Sequence, residues 1–148
     1  MNALAKGLIA GAAGATALNA VTYADMATRG RPASTVGEQS VQRLADLAHV
    51  DIGAGEAGEN RKAGLGPLLG YVTATGVAVA FAAAGGSRLP TAASAGVLTA
   101  LAMVGANGPM TALKVTDPRS WTPSDWLADL VPHVVYGWVT AVTLDRLR

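Results

Sequence analysis

The chain alternates long apolar runs with short charged punctuation. Residues 7–24, 63–87, 89–113 and 130–144 carry no charged side chain, and only Arg88 interrupts the span from Ala63 to Leu113. A helix rises ~1.5 Å per residue, so about 20 mostly apolar residues match the ~30 Å hydrocarbon core of a bilayer. The pattern predicts an all-α fold: a four-transmembrane-helix bundle with spans at about 3–26, 64–84, 91–113 and 123–144, forming a single integral membrane domain over 1–148.

Residues 27–62 form the one long polar segment. Gly30-Arg31-Pro32 breaks the first helix, and Thr35 with Glu38 three residues later has the spacing of a capping box. One short amphipathic helix is expected in this first loop, about 36–50, with Val41, Leu44, Ala45 and Ala48 on one face and Gln42, Arg43 and Asp46 elsewhere. It can lie on the headgroups or over the bundle. The Gly-rich stretch from Asp51 to Asn60 reads as a flexible linker.

Each span carries its own signals. Helix one contains Gly7-Leu8-Ile9-Ala10-Gly11, extended by Gly14 and Ala15, a GxxxG pattern that lets helices meet backbone to backbone. Helix two is expected to hold Gly66-Pro67 in its first turn and a small-residue stripe at Gly70, Thr73 and Gly76. The turn from Gly85 to Pro90 makes helices two and three an antiparallel hairpin. Pro109 near the end of helix three predicts a kink or early unwinding. Helix four starts with Thr122 as N-cap, Pro123 as first residue and Asp125 as first-turn acid. Trp121 and Trp126 suit the membrane–water boundary, and Pro132 is expected to kink the helix.

Composition narrows the chemistry. Charged residues make up 14 % of the chain, against about 25 % in ordinary soluble domains, and 18 Gly stand beside a single Phe. Small residues suit helices packed in lipid, where close contact replaces the hydrophobic effect. A net charge of +1 shows no nucleic-acid footprint. The absence of Cys removes disulfides, thiolate catalysis and Cys-based metal sites. No catalytic, cofactor-binding or metal-ligating signature is present; His49 has no ligand partner nearby and is expected in solvent. Lys6 before the first apolar run resembles a signal-peptide start, but no clear cleavage site follows, so the first helix is expected to be retained.

One polar stripe lies inside the fourth span. Asp125, Asp129 and His133 are spaced i, i+4, i+8, and Tyr136 and Thr140 continue that face beside Gly137. Asp129 is one turn from His133, so a carboxylate–imidazole bond can hold the ring. Ionisable groups at membrane depth are costly and tend to face a bundle interior, where they relay protons or line a path. The same stripe also suits a structural role. Pro132 leaves the carbonyl of Ala128 without a donor, and His133 can clamp neighbouring helices. Asn19 in helix one and Asn107 in helix three are the candidate partners, since buried amides bond across helices. The expected network is Asn19, Asn107, Asp129, His133 and Tyr136.

The block Pro109-Met110-Thr111-Ala112-Leu113, then Asp117-Pro118, Trp121 and Pro132-His133-Val134-Val135-Tyr136-Gly137-Trp138 resembles the C-terminal part of YagU-like inner-membrane proteins. The opening Gly7-Leu8-Ile9-Ala10-Gly11 is also similar, while the middle of the chain is unmatched. Pro132 stands where that family has Gly before its His, and His133 is the one residue the resemblance carries over. The resemblance implies a multi-pass bacterial inner-membrane protein with a link to acid tolerance and no assigned catalytic residue. It also implies cytoplasmic termini with the 27–62 loop outside. The basic residues point the other way: Lys6, Arg88, Arg146 and Arg148 lie on the terminal side, against Arg29, Arg31, Arg43, Arg61, Lys62, Lys114 and Arg119 on the other.

Two function classes remain. One is a non-enzymatic accessory or structural component, working in the lipid bilayer as a homo-oligomer or within a larger membrane complex. The other is a proton-linked permeation or acid-response protein titrating at Asp129 and His133.

Overall fold

The computed structural model describes residues 1–148 and is all-helical. Five α-helices follow in order: α1 (Ala3–Arg29), α2 (Val36–Ala48), α3 (Gly55–Ala83), α4 (Thr91–Ala112) and α5 (Pro123–Arg146). Short 3-10 turns, Gly86–Arg88 and Pro118–Ser120, precede α4 and α5. Four of the helices, α1, α3, α4 and α5, are long and apolar enough to cross a membrane, as the charge-free runs predict. Large apolar side chains such as Leu8, Ile9, Leu68, Val72, Val104 and Trp138 stand on the outside of the bundle. Such a surface suits lipid, which is as apolar as the side chains themselves.

Helix α1 packs on α3 and α5, and α4 packs on α5; the α3–α4 contact is slighter. Small residues set these spacings. A Cβ added to Gly7 would run into the Val79 backbone, and one on Gly11 into Thr75 and Ala78. The GxxxG face of α1 is therefore a packing face within the chain, spent on α3. Gly137 does the same for α5, whose backbone lies against Ala95 and Thr99 of α4. The core is accordingly built from Ala10, Ala15, Ala74, Ala78, Ala82, Ala95, Ala102 and Ala141, filled out by Phe81, Leu98, Tyr136 and Leu144.

The helix ends identify two poles. At one, Arg148 Nη2 donates to the Leu89 carbonyl at 2.8 Å, bringing the C-terminus to the α3–α4 turn. At the other, Arg29 Nη1 donates to Ser124 Oγ at 2.9 Å, tying the end of α1 to the start of α5. Asp25 adds ion pairs to Arg29 at 3.0 Å and to Arg31 at 2.5 Å.

Several expectations about the polar segment need correction. Residues 55–60, expected to be linker, are helical, and so are 61–63, so α3 starts nine residues before the expected span, has 29 residues and is about 43 Å long. Local contacts outweigh the poor helix propensity of glycine here. A Gly58 side chain would strike the Gly53 carbonyl, Arg61 Nη1 donates to the Ile52 carbonyl at 2.9 Å, and Lys62 pairs with Glu59 at 2.7 Å. Pro67 consequently sits inside α3 and not in its first turn. Gly66 beside it is where α2 crosses, with Gly37 and the Glu38 amide against it.

The Thr35–Glu38 capping box does not form. Thr35 makes no side-chain cap; Ser34 Oγ accepts from the Val36 amide at 3.3 Å, and Gln39 Nε2 donates to Thr35 Oγ1 at 2.9 Å. The α2 face against α3 is Gly37, Ser40, Val41 and Ala45, while Leu44 and Ala48 are exposed. At the start of α5 the capping box does form, Thr122 and Asp125 exchanging side-chain-to-backbone bonds. Pro109 and Pro132, like Pro67, lie within unbroken helices, α4 running three residues past Pro109. His49 is exposed, in the left-handed conformation that ends α2.

Candidate functional site

The polar groups of the four long helices fall into three separate places, the third of them on the bundle surface. At the first, α4 and α5 are joined by Asn107, whose Nδ2 donates to Asp129 Oδ2 at 2.9 Å. One turn on, His133 Nδ1 lies 2.7 Å from the Asp129 backbone carbonyl and 3.5 Å from Asp129 Oδ1. A carbonyl only accepts, so Nδ1 carries a hydrogen, and Nε2 is the ring nitrogen with no partner in the chain. The ring is bonded to the Asp129 carbonyl and not to that of Ala128, the one expected to need a donor beside Pro132. Asp129 lies six residues into α5, about 9 Å below its start. The side chains of His133 and Asp129 are 11 % and 20 % exposed, so the pair sits just inside the bundle surface.

The second place is the centre of the molecule. Tyr136 is fully buried, and its hydroxyl donates to the Ala74 carbonyl on α3 at 2.6 Å. Its ring passes along Gly14 of α1, where an added Cβ would lie 2.8 Å from the ring and would collide with Thr140 Oγ1. One side chain thus links α5, α1 and α3. Thr140 is also fully buried, and its Oγ1 has no hydrogen-bond partner.

The third place belongs to Asn19. It lies beside the Tyr71 hydroxyl with Thr16, between α1 and α3. The expected single network of Asn19, Asn107, Asp129, His133 and Tyr136 is therefore divided: Asn107, Asp129 and His133 come together, Tyr136 bonds to the Ala74 carbonyl, and Asn19 lies apart from both, near Tyr71. The reason is helix rotation. Gly14 faces α5, and Asn19, five residues on, is turned away by about 140°. Asp125 also leaves the stripe, since its carboxylate is engaged in the cap with Thr122, 2.6 Å from the hydroxyl.

Three contributors had no clear sequence signal. The Ala74 carbonyl is backbone. Thr99, whose Oγ1 donates to the Ala95 carbonyl at 2.8 Å and lies 3.4 Å from the His133 carbonyl, looks like any small helix residue. Tyr71 was readable as a hydroxyl deep in a charge-free run, but its partner was not.

Fold and site together define a helical bundle with four membrane-length helices, in which polar side chains tie α4 to α5 through Asn107 and α5 to α3 through Tyr136. No protein family, curated protein or solved structure matches the chain.

Proposed function

We propose that this protein is a non-enzymatic, multi-pass component of a bacterial inner membrane, acting as a structural or accessory subunit. The observation that carries this reading is the use made of its intramembrane polar groups. Tyr136 is spent on the Ala74 carbonyl and Asn107 on Asp129, each bond joining two helices. Groups held this way stabilise one packing of the bundle. The likeness of the 109–138 block to YagU-like proteins supports the inner-membrane placement with cytoplasmic termini.

Native mass spectrometry after gentle extraction from the native membrane tests this function. A partner at fixed stoichiometry, or a homo-oligomer, is expected; a monomer that conducts protons in vesicles would contradict it.

A second reading is favoured by one specific geometry. Asp129 and His133 place a carboxylate and an imidazole 3.5 Å apart near the bundle surface, with Nε2 unpartnered within the chain. That is an acid–base pair suited to proton-linked permeation or an acid response. His133→Ala separates the two. It abolishes acid-driven proton flux in reconstituted vesicles under the second reading, and only lowers stability under the first.

A further inference from the structure

At the pole that carries α2, a crevice of about 590 Å³ opens between α2, the start of α3 and the loop after α4. Its charged lining is Glu38, Arg43, Asp46, Glu59, Lys62 and Lys114, three of each sign. Part of this set is already satisfied. Glu59 pairs with Lys62 at 2.7 Å, and Asp46 accepts from Gln42 Nε2 at 2.8 Å. Glu38, Arg43 and Lys114 have no side-chain partner within the chain, which leaves one carboxylate and two cations facing a shared space.

Lys114 is held there by an unusual backbone. It is one of two non-glycine residues with positive φ, at 57°, in the cap where Lys114 N bonds the Thr111 carbonyl and Val115 N the Met110 carbonyl. Glycine is the ordinary occupant of such a cap, so a lysine at that point costs backbone energy that a side-chain role would explain. Lys114 also lines a second crevice of about 370 Å³, together with Thr116 and Arg119.

The depth of this site in the membrane is marked independently. Trp121 and Trp126 stack edge to face with centroids 5.0 Å apart, and Trp121 Nε1 donates to Thr116 Oγ1 at 3.0 Å. An indole that is apolar on its face and hydrogen-bonded at its nitrogen, as Trp121 is, suits the headgroup level. Leu65 and Leu68, further along α3 than the crevice residues Glu59 and Lys62, are exposed.

The geometry points to a lipid-headgroup site: the crevice binds a phospholipid that carries both a phosphate and a primary ammonium. Arg43 and Lys114 take the phosphate, one as a fork and one as a point charge, and Glu38 accepts from the ammonium. A headgroup without the ammonium leaves the Glu38 carboxylate with no cationic partner and is disfavoured. The inference rests on the membrane reading above, which retention in membranes under alkaline carbonate tests by itself.

The experiment is native mass spectrometry of the full chain released from vesicles of equal parts phosphatidylethanolamine and phosphatidylglycerol. The wild type is expected to retain phosphatidylethanolamine in preference. Lys114→Gly keeps the positive-φ backbone without strain and should lower that retention about fivefold, the effect of losing one charge-assisted contact. Glu38→Gln should shift the retained lipid toward phosphatidylglycerol, with unchanged helical content by circular dichroism. Equal retention of both lipids, a preference for phosphatidylglycerol, or wild-type retention in Lys114→Gly would each overturn the inference. So would displacement of the lipid by glycerophosphoethanolamine alone, which would make a soluble zwitterion the ligand. A protein that stays in carbonate-washed membranes without lipid selectivity sinks this proposal and leaves the membrane reading standing.

Discussion

Tyr136 and Gly14 are one interaction seen from two sides. The tyrosine reaches the Ala74 carbonyl only because α1 offers no side chain where the ring passes. Tyr136→Phe keeps the ring and removes the bond, so a loss of about 0.6–2 kcal/mol is expected in reversible unfolding from mixed micelles. Gly14→Ala places a methyl group against Thr140 Oγ1 and the ring, and forces α1 away from α5. Its cost should be about 1–3 kcal/mol, the range for overpacking a filled core. Gly70→Ala is the control, because nothing lies within 4 Å of a Cβ there; it should unfold like the wild type or later. Equal losses for Gly14→Ala and Gly70→Ala would show that backbone contact at Gly14 does not hold the bundle.

Element boundaries show which signals a one-dimensional pattern carries. Runs without charge located all four membrane-length helices, because a single charge in lipid is costly enough to shape the whole segment. The Thr122-Pro123-Ser124-Asp125 start was legible because every residue in it favours the same end. Thr35 and Glu38 had the same spacing, yet Ser34 and Gln39 supplied closer partners, so spacing alone did not decide. Thr122→Ala should therefore cost about 1 kcal/mol of stability, while Thr35→Ala costs a few tenths; thermal melts of the two variants make the comparison. The first turns of α3 were hidden because their helix rests on contacts with Gly53 and Ile52, which no propensity scale contains. The candidate site was half legible for a related reason. Spacing places Asp129 and His133 on one helix face, but only the rotation of each helix against its neighbours assigns partners. Asn107 turned toward Asp129, and Asn19 turned toward Tyr71.

At the scale of the molecule, the helix order fixes a two-ended object. The C-terminus and the α3–α4 turn share one pole through the Arg148–Leu89 bond, and α2 with the α4–α5 loop occupies the other. The glycines of the α1 motif are consumed inside the chain, so association with other chains has to use outward faces. Val104→Trp on the outside of α4 should leave unfolding unchanged and disturb only an oligomer or complex, readable by native mass spectrometry. The most direct test of the four-crossing bundle uses the absence of cysteine in this chain. Ala33→Cys before α2 and Ser87→Cys in the α3–α4 turn are each labelled in intact cells with a membrane-impermeant maleimide, then again after permeabilisation. Four crossings with cytoplasmic termini predict that Ala33→Cys reacts in intact cells and Ser87→Cys reacts only after permeabilisation. The opposite assignment would reverse the orientation, and reaction of both positions under the same condition would contradict a bundle that crosses the membrane four times.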